Sequence, residues 1–79
     1  MMDKSLAKAF GETLKELRGK AGLSQEDLAN ECELDRSFIS MLERGLRMPT
    51  IETLFKLSSP LKKSSSEIIK IVEQRFEEN

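Results

Sequence analysis

Residues 25–44 read QEDLANECELDRSFISMLER, and their pattern is the strongest structural signal in the sequence. Ser24, just before it, and Asp35, within it, are residue types that often cap the start of a helix. The stretch therefore predicts two short helices, the second beginning after Asp35 and running to about Arg44. Only three or four residues separate the two helices, so they must cross steeply. Such a crossing needs a small residue at the contact, and Ala29 lies there.

Six apolar residues of this stretch are expected on the inner faces of the two helices and at the turn between them. They are Leu28, Ala29, Cys32, Leu34, Ile39 and Leu42. Five side chains of the second helix are expected to face outward, and they are Arg36, Ser37, Ser40, Met41 and Arg44. Cys32 could instead be a redox sensor or a metal ligand. However, it lies on the apolar face, and the chain has no histidine to complete a zinc site, so packing is its predicted role.

A longer helix is predicted upstream, from about Lys4 to Ala21. Its apolar residues recur at steps of four, four and three, which places them on one face that should be buried. They are Leu6, Phe10, Leu14 and Leu17. Gly22 follows as the expected stop, because glycine adopts the left-handed conformation without steric penalty.

Two more helices are predicted downstream. The fourth begins after the cap residue Thr50, and Pro60 should end it early because proline lacks a backbone N–H. Its apolar positions are Ile51, Leu54, Phe55 and Leu57. Ser64 and Glu67 have capping-box spacing and open a fifth helix that extends to about Phe76. No stretch alternates with a period of two, so the expected fold class is all-α with five helices.

The charge of the chain is informative only when it is resolved along the sequence. The 79 residues include 13 basic and 14 acidic side chains, and a pI near 5.5 does not by itself suggest nucleic acid. Residues 24–35, however, hold five acids and no base, whereas residues 36–63 hold six bases and two acids. The second block is a local positive footprint of the kind that a phosphate backbone meets.

Several classes of protein are not expected from the composition. A single cysteine allows no intrachain disulfide, which fits a reducing, cytosolic setting. No apolar run is long enough for a transmembrane helix, and the N-terminal residues 1–5 lack the apolar run of a signal peptide, so we expect a cytoplasmic protein without a membrane partner. An enzyme is not expected either, because histidine and a glycine-rich phosphate loop are missing. No cofactor or metal is expected.

The motifs of the chain resemble those of the Cro/lambda-repressor-like (XRE-type) helix-turn-helix proteins. They are residues 23–29 (LSQEDLA), 39–40 (IS), 43–45 (ERG) and 49–54 (PTIETL), within a resemblance that covers about residues 10–58. Residues 34–40 and the total length look most like the small controller proteins of restriction–modification operons. The resemblance implies a compact five-helix, lambda-repressor-like DNA-binding domain with its helix-turn-helix at helices 2 and 3.

The resemblance also implies which residues read the bases of DNA. Arg36 and Ser37 match base-reading positions at the start of helix 3, and Ser40 and Met41 lie one turn further along over the same groove. Arg44 flanks them at the end of the helix. The chemistry agrees, because an arginine fork matches the two acceptors of guanine and serine can contact several bases. Both Arg36 and Met41 could alternatively be ordinary surface residues.

Backbone-contacting positions are implied at both ends of the motif. Gln25 matches a glutamine that contacts a phosphate at the start of helix 2, where free amides favour anions. Arg47 and Thr50 match backbone contacts in and after the loop that follows helix 3, although Arg47 could be a solvated surface charge. In this family Arg18 and Glu43 match a structural ion pair between helices 1 and 3.

Two positions depart from the family pattern. Glu33 stands at the turn after helix 2, where the family often has glycine, and a non-glycine residue in a left-handed turn costs roughly 1 kcal/mol. Pro60 stands where the family usually continues helix 4. The geometry of both segments is therefore open at the level of sequence.

A single domain over residues 1–79 is expected, with helix 5 (about residues 64–77) as its dimerisation element. In helix 5, Ile68, Ile71 and Val72 fill one face while Ile69 and Phe76 point elsewhere. Apolar residues on two faces suggest that one face meets another subunit. The expected interface residues are Ile68, Ile69, Val72 and Phe76.

Two functions follow from these observations. The first is a homodimeric transcription regulator that binds a palindromic operator, as a restriction–modification controller or, alternatively, as a phage-type repressor or antitoxin of the same fold. Its partners would be double-stranded operator DNA, a second copy of the chain and RNA polymerase. The second is a protein-interaction module that has lost DNA binding and uses helix 5 and the acidic helix 2. The polar, basic outer face of helix 3 favours DNA.

Overall fold

Five α-helices form the whole secondary structure of residues 5–78, the part of the chain that the computed structural model describes. Their bounds are α1 Leu6–Lys20, α2 Gln25–Cys32, α3 Arg36–Glu43, α4 Ile51–Leu61 and α5 Ser65–Glu77. The all-α class and the five-helix order predicted from the sequence are confirmed, and these 74 positions contain no strand. The predicted start of α1 near Lys4 lies outside the described residues.

Side chains cap the starts of four helices. Each cap oxygen accepts a hydrogen bond from the backbone N–H three residues later, and the residues are Ser5, Ser24, Thr50 and Ser64. Ser64 completes the expected capping box with Glu67, whose pKa is lowered by the hydrogen bond that it accepts from the Ser64 backbone N–H. Asp35 occupies the cap position of α3, but its carboxylate makes no capping bond.

The turn after α2 keeps the left-handed geometry although no glycine stands there. Glu33 has φ = 57°, and the N–H of Leu34 donates to the carbonyl of Ala29 at 2.9 Å to close the helix. A residue with a side chain pays about 1 kcal/mol for this conformation. The close crossing of α2 and α3 is therefore retained at an energetic cost.

The prediction that Pro60 ends α4 early is wrong, because α4 continues through Pro60 to Leu61. Proline in a helix leaves the carbonyl four residues earlier without its usual N–H donor. That carbonyl belongs to Lys56, and the thiol of Cys32 donates a hydrogen bond to it at 3.4 Å. The packing of α2 on α4 thus supplies a partner for the group that Pro60 leaves unpaired.

The core lies where α1 packs on α3 and α5 and where α2 and α5 pack on α4. Its largest fully buried apolar side chains are Leu14, Leu28, Ile39, Leu42, Leu57 and Ile68. The closest backbone approach is at Gly11 in α1, where a Cβ atom would lie 2.4 Å from the carbonyl oxygen of Leu42. Only glycine therefore allows the end of α3 to rest directly on α1.

Some apolar residues lie elsewhere than the sequence pattern indicated. Leu6 shares the apolar face of α1 but is half exposed, and two of the apolar positions of α4 face outward, Ile51 at 72% and Phe55 at 62% exposure. The reason is that α4 carries two apolar stripes, and only the stripe of Leu54, Leu57 and Leu61 faces the core. The outer stripe is left for another contact.

The residues of α5 that were expected at a dimer interface differ in how accessible they are. Ile68 and Val72 are buried within the core of their own chain, and Phe76 is partly buried against that core. Burial removes Ile68 from any surface that a second subunit could contact, whereas Val72, although only 4% exposed, lines a surface cavity together with Ile69. Ile69, which is about half exposed, remains available.

We expect Gly11→Ala to lower the free energy of unfolding by about 2–3 kcal/mol, because its methyl group forces α1 and α3 apart. Gly19→Ala is the matched control, since a Cβ atom there meets nothing within 4 Å. It should raise stability by about 0.5–1 kcal/mol through helix propensity. Urea unfolding followed by circular dichroism measures both changes. Equal stability of the two variants would contradict the close approach described above.

Candidate nucleic-acid interface

The outer face of α3 is polar and accessible. Arg36 and Ser37, in its first turn, are exposed, and Ser40 and Met41 are half buried one turn further along. Arg44 is exposed at the end of the helix. Ile39 and Leu42 of the same helix are fully buried. The helix therefore presents together, on one side, the side chains that the sequence placed outward.

Salt bridges divide the five arginines of the chain into two groups. Arg18 and Arg75 are paired with the carboxylates of Glu43 and Glu16 respectively. Within residues 5–78, the other three form no salt bridge, and they are Arg36, Arg44 and Arg47. All three belong to α3 or to the segment after it, and all are exposed. Among the arginines of the described residues, those without an acidic partner are thus concentrated around the helix-turn-helix.

The paired arginines have structural roles away from that surface. Arg75 links α5 to α1, because its guanidinium donates to the Glu16 carboxylate and to the hydroxyl of Thr13. The hydrogen bond from Arg75 is the largest of the effects that lower the pKa of Glu16. A cation engaged in this way is not available to a phosphate.

Glu43 and Arg18 form the pair that the family resemblance implied. The Arg18 Nε donates to Glu43 Oε2 at 2.6 Å, and Nη2 donates to Oε1 at 3.0 Å. Arg18 Nη1 also donates to the carbonyl of Leu23 at 2.9 Å, which ties the turn between α1 and α2 to the pair. The side chain of Glu43 is only 3% exposed, and its hydrogen bond raises the pKa of Arg18.

Gln25 joins the same network. Its Nε2 donates to Glu43 Oε1 at 2.9 Å, so the side chain is held against the end of α3. A glutamine amide carries two N–H donors and one carbonyl acceptor, so this bond leaves one N–H and the oxygen free for a further partner. Gln25 stands at the start of α2, where helix amides add favourable interactions with anions.

The segment between α3 and α4 holds the third unpaired arginine. Gly45 has φ = 75°, and the N–H of Leu46 donates to the carbonyl of Met41 at 2.9 Å, which sets the path of the chain. The guanidinium carbon of Arg47 then lies 5.8 Å from the centre of the Phe38 ring. The Thr50 hydroxyl accepts from the N–H of Thr53 and so caps α4.

Sequence reasoning did not assign a role to Phe38. The residue lies on α3 and its partner on the following loop, so no helical periodicity connects them. An aromatic residue next to the outward positions of α3 was the only available signal.

An apolar surface adjoins the same loop. Five exposed or half-exposed side chains form it, and we call them the apolar face: Leu6, Met48, Ile51, Phe55 and Ile69. All but Phe55 line a shallow cavity of about 150 Å³. Phe55 lies one helical turn beyond Ile51 on α4. The second apolar stripe of α4 was the sequence signal for this surface.

Other sites are not supported within the described part of the chain. Cys32 is buried, which agrees with the predicted packing role, and burial raises the pKa of its thiol. No group of three or more potential ligands for a metal ion occurs among residues 5–78. Over the same residues, no helix combines the length and apolar character needed to cross a membrane.

Comparisons with known proteins agree with this geometry. A family described as "Helix-turn-helix" matches residues 14–68. The chain is 38% identical over 61 residues to "Control protein C.BamHI" of Bacillus amyloliquefaciens, covering 76% of this chain and 75% of that protein. It is 39% identical over 66 residues to "Control protein C.MunI" of Mycoplasma sp, covering 82% and 89%.

A solved structure of a controller protein is also similar to this chain. The chain is similar to the restriction–modification controller protein C.Esp1396I, crystallised as a tetramer in complex with its natural 35-base-pair operator. The TM-score is 0.81 at 30% identity, and the match covers 94% of this chain and 97% of that one. The similarity therefore includes α5 as well as the helix-turn-helix.

We expect Glu43→Ala to cost about 3 kcal/mol or more, because it leaves the guanidinium of Arg18 partly buried without its carboxylate. Lys20→Ala is the control, since it removes an exposed pair with Glu16 and should cost about 0.5 kcal/mol or less. Chemical unfolding of each variant tests the difference. If the two losses were similar, the Glu43 network would not be the structural element that its burial indicates.

Proposed function

The chain belongs to the helix-turn-helix family. We propose that it regulates transcription by binding a palindromic operator as a homodimer. Its relatives are DNA-binding regulators and not enzymes. The observation that carries the proposal is the set of three exposed arginines without acidic partners on and beside α3. A protein-interaction module that had lost DNA binding would have no need to keep these cations unpaired.

In this proposal, α3 enters the major groove with its first turn leading. Arg36 projects from that turn, where the body of the helix does not block it, and two of its N–H donors match the N7 and O6 acceptors of guanine. Ser37 contacts a neighbouring base. Ser40 and Met41 lie over the same groove one turn later, and the Met41 side chain supplies an apolar contact.

Other residues hold the DNA backbone rather than read it. Gln25 offers its free amide N–H together with the N-terminal amides of α2. Arg44 and Arg47 supply positive charge after α3. Thr50 adds a backbone contact at the start of α4. These contacts set the orientation of α3 but carry no sequence information directly.

The apolar face supplies the dimer contact. It adjoins the loop that carries Arg47, because Met48 belongs to both. A two-fold axis through it would bring both copies of α3 to one side of the dimer, about one DNA turn or roughly 34 Å apart. In this form the whole domain acts as one unit, and α5 contributes through Ile69.

The relatives support the narrower assignment to a restriction–modification operon. Two of them are named control proteins, and the solved neighbour is a restriction–modification controller bound to its operator. We propose the same role for this chain, in the cytoplasm. A dimer bound beside a promoter would either contact RNA polymerase or block it, and a phage-type repressor or antitoxin would use the same surface.

Two variants should distinguish a residue that contacts bases from a residue that contacts the DNA backbone. Arg36→Ala should weaken binding to an operator selected from random duplexes by about 1–3 kcal/mol and relax the preference at one base pair of each half-site. Arg47→Ala should weaken binding to every sequence alike and reduce the salt dependence by about one unit of slope per contact. Titrations at several salt concentrations, followed by sequencing of bound DNA, measure both effects.

Lys70→Ala is the matched control for lost charge. Lys70 is exposed on α5, which packs on α1 and α4, so its removal should leave both the affinity and the slope nearly unchanged. If Arg36→Ala bound the selected operator as tightly as the original chain and with the same preference, the assigned reading surface would be wrong. The interaction-module function would then be favoured.

The dimer has its own test. Phe55→Glu places a charge in the apolar face and should convert a dimer to a monomer in sedimentation equilibrium at micromolar concentration. Lys63→Glu introduces a glutamate just beyond the C-terminal end of α4, with a change of two charge units instead of one, and should leave the dimer intact. A chain that is a strict monomer and binds DNA singly would rule out the proposed assembly.

A further inference from the structure

The contact between Phe38 and Arg47 connects the recognition helix with the loop that follows it. The guanidinium carbon of Arg47 lies 5.8 Å from the centre of the Phe38 ring, within the range of a cation–π interaction. We propose that Phe38 is a positioning residue that holds the Arg47 guanidinium ready for the DNA backbone. The inference rests on the proposed function, because it assumes that Arg47 contacts a phosphate.

Phe38 is itself well fixed. It is half buried and packs against the core, between the exposed Ser37 and the fully buried Ile39. Its ring therefore offers a stable surface, while part of it remains accessible to a side chain from the loop. The position of that ring follows the position of α3.

The side chain of Arg47 is the element that needs to be held. The backbone around it is already set, since the N–H of Leu46 bonds to Met41 and Thr50 caps α4. The guanidinium is exposed and has no salt bridge within residues 5–78. A free arginine side chain loses much rotamer freedom when it binds, and a prior contact with a ring lowers that loss.

This arrangement fixes the position of the backbone-contacting guanidinium relative to the side chains that contact the bases. Since Phe38 lies on α3, the cation is held at a constant place relative to Arg36 and Ser37. A phosphate contact by Arg47 then sets the position of α3 in the groove on any sequence, without adding a preference for a particular base. Phe38 acts through Arg47 and needs no contact of its own with a base.

A double-mutant cycle tests this role. Phe38→Leu keeps an apolar side chain but removes the ring, and it should weaken binding to the selected operator and to a random duplex by the same factor of about two to five. In the Arg47→Ala background, Phe38→Leu should have no further effect. Phe38→Tyr keeps the ring and should bind like the original chain. The unfolding midpoint of each variant checks that the fold is retained.

A second measurement does not depend on DNA. The ¹⁵N relaxation of the Arg47 Nε–H in the free protein should report an ordered side chain. Phe38→Leu, or Phe38→Met if the leucine variant does not fold, provides the comparison without a ring, and Phe38→Tyr is the control that keeps the ring. Mobility should rise in the leucine variant and stay low in the tyrosine variant. An Arg47 guanidinium that is equally mobile in the original chain and in Phe38→Leu would overturn the positioning role.

The outcomes separate the failure of this inference from the failure of the proposed function. Independent, additive losses from Phe38→Leu and Arg47→Ala would overturn the coupling while leaving the phosphate contact in place. A relaxed preference at one base pair in Phe38→Leu would instead assign the ring to direct base contact. If Arg47→Ala alone left affinity and salt slope unchanged, the phosphate contact itself would be wrong.

Discussion

The carboxylate of Glu43 is the point at which three helices are held together. It lies at the end of α3 and accepts hydrogen bonds from Arg18 of α1 and from Gln25 of α2. A charge that is almost fully buried is tolerated only when its partners are in place, so the network resists any displacement of one helix from the others. The orientation of α3 is therefore set from behind, by groups that need not contact DNA. Its outer side chains can then vary without loss of the frame.

Steric constraints act beside this electrostatic one. A Cβ atom at Gly11 would lie 2.4 Å from the carbonyl of Leu42, and one at Gly45 would lie 3.0 Å from the Cα of Lys8. Both contacts press the end of α3 and the start of the next loop against α1. Because backbone atoms meet backbone atoms there, the contact cannot adjust by changing a rotamer. The loop that carries Arg47 thus begins from a well-defined position, which is what a cation needs in order to act at a constant place beside α3.

Much of this architecture could be predicted because it depends on local chemistry. Ser24 and Ser64 indicate where helices start, because each caps its helix through hydrogen bonds with a residue only three positions away. The fate of Pro60 could not be predicted, because the Cys32 thiol that bonds to the freed carbonyl comes from another helix. The exposure of Phe55 could not be predicted either. Periodicity shows that α4 has two apolar stripes, but it does not show which of them packs against the core. The Arg18–Glu43 pair was accessible only through resemblance, because 25 residues separate its members.

The distribution of charge explains how an acidic chain can present a surface suited to DNA. Its formal net charge is −1. However, Glu43 and Glu16 form salt bridges with arginines, and Asp27 and Glu67 accept hydrogen bonds at helix starts. The cations of α3 and its following loop have no such partners within residues 5–78. At physiological ionic strength, charges beyond about 8 Å are largely screened, so a phosphate on this side responds to those cations far more than to the total. Folding therefore sorts the arginines into structural and accessible groups, and the pI does not record that sorting.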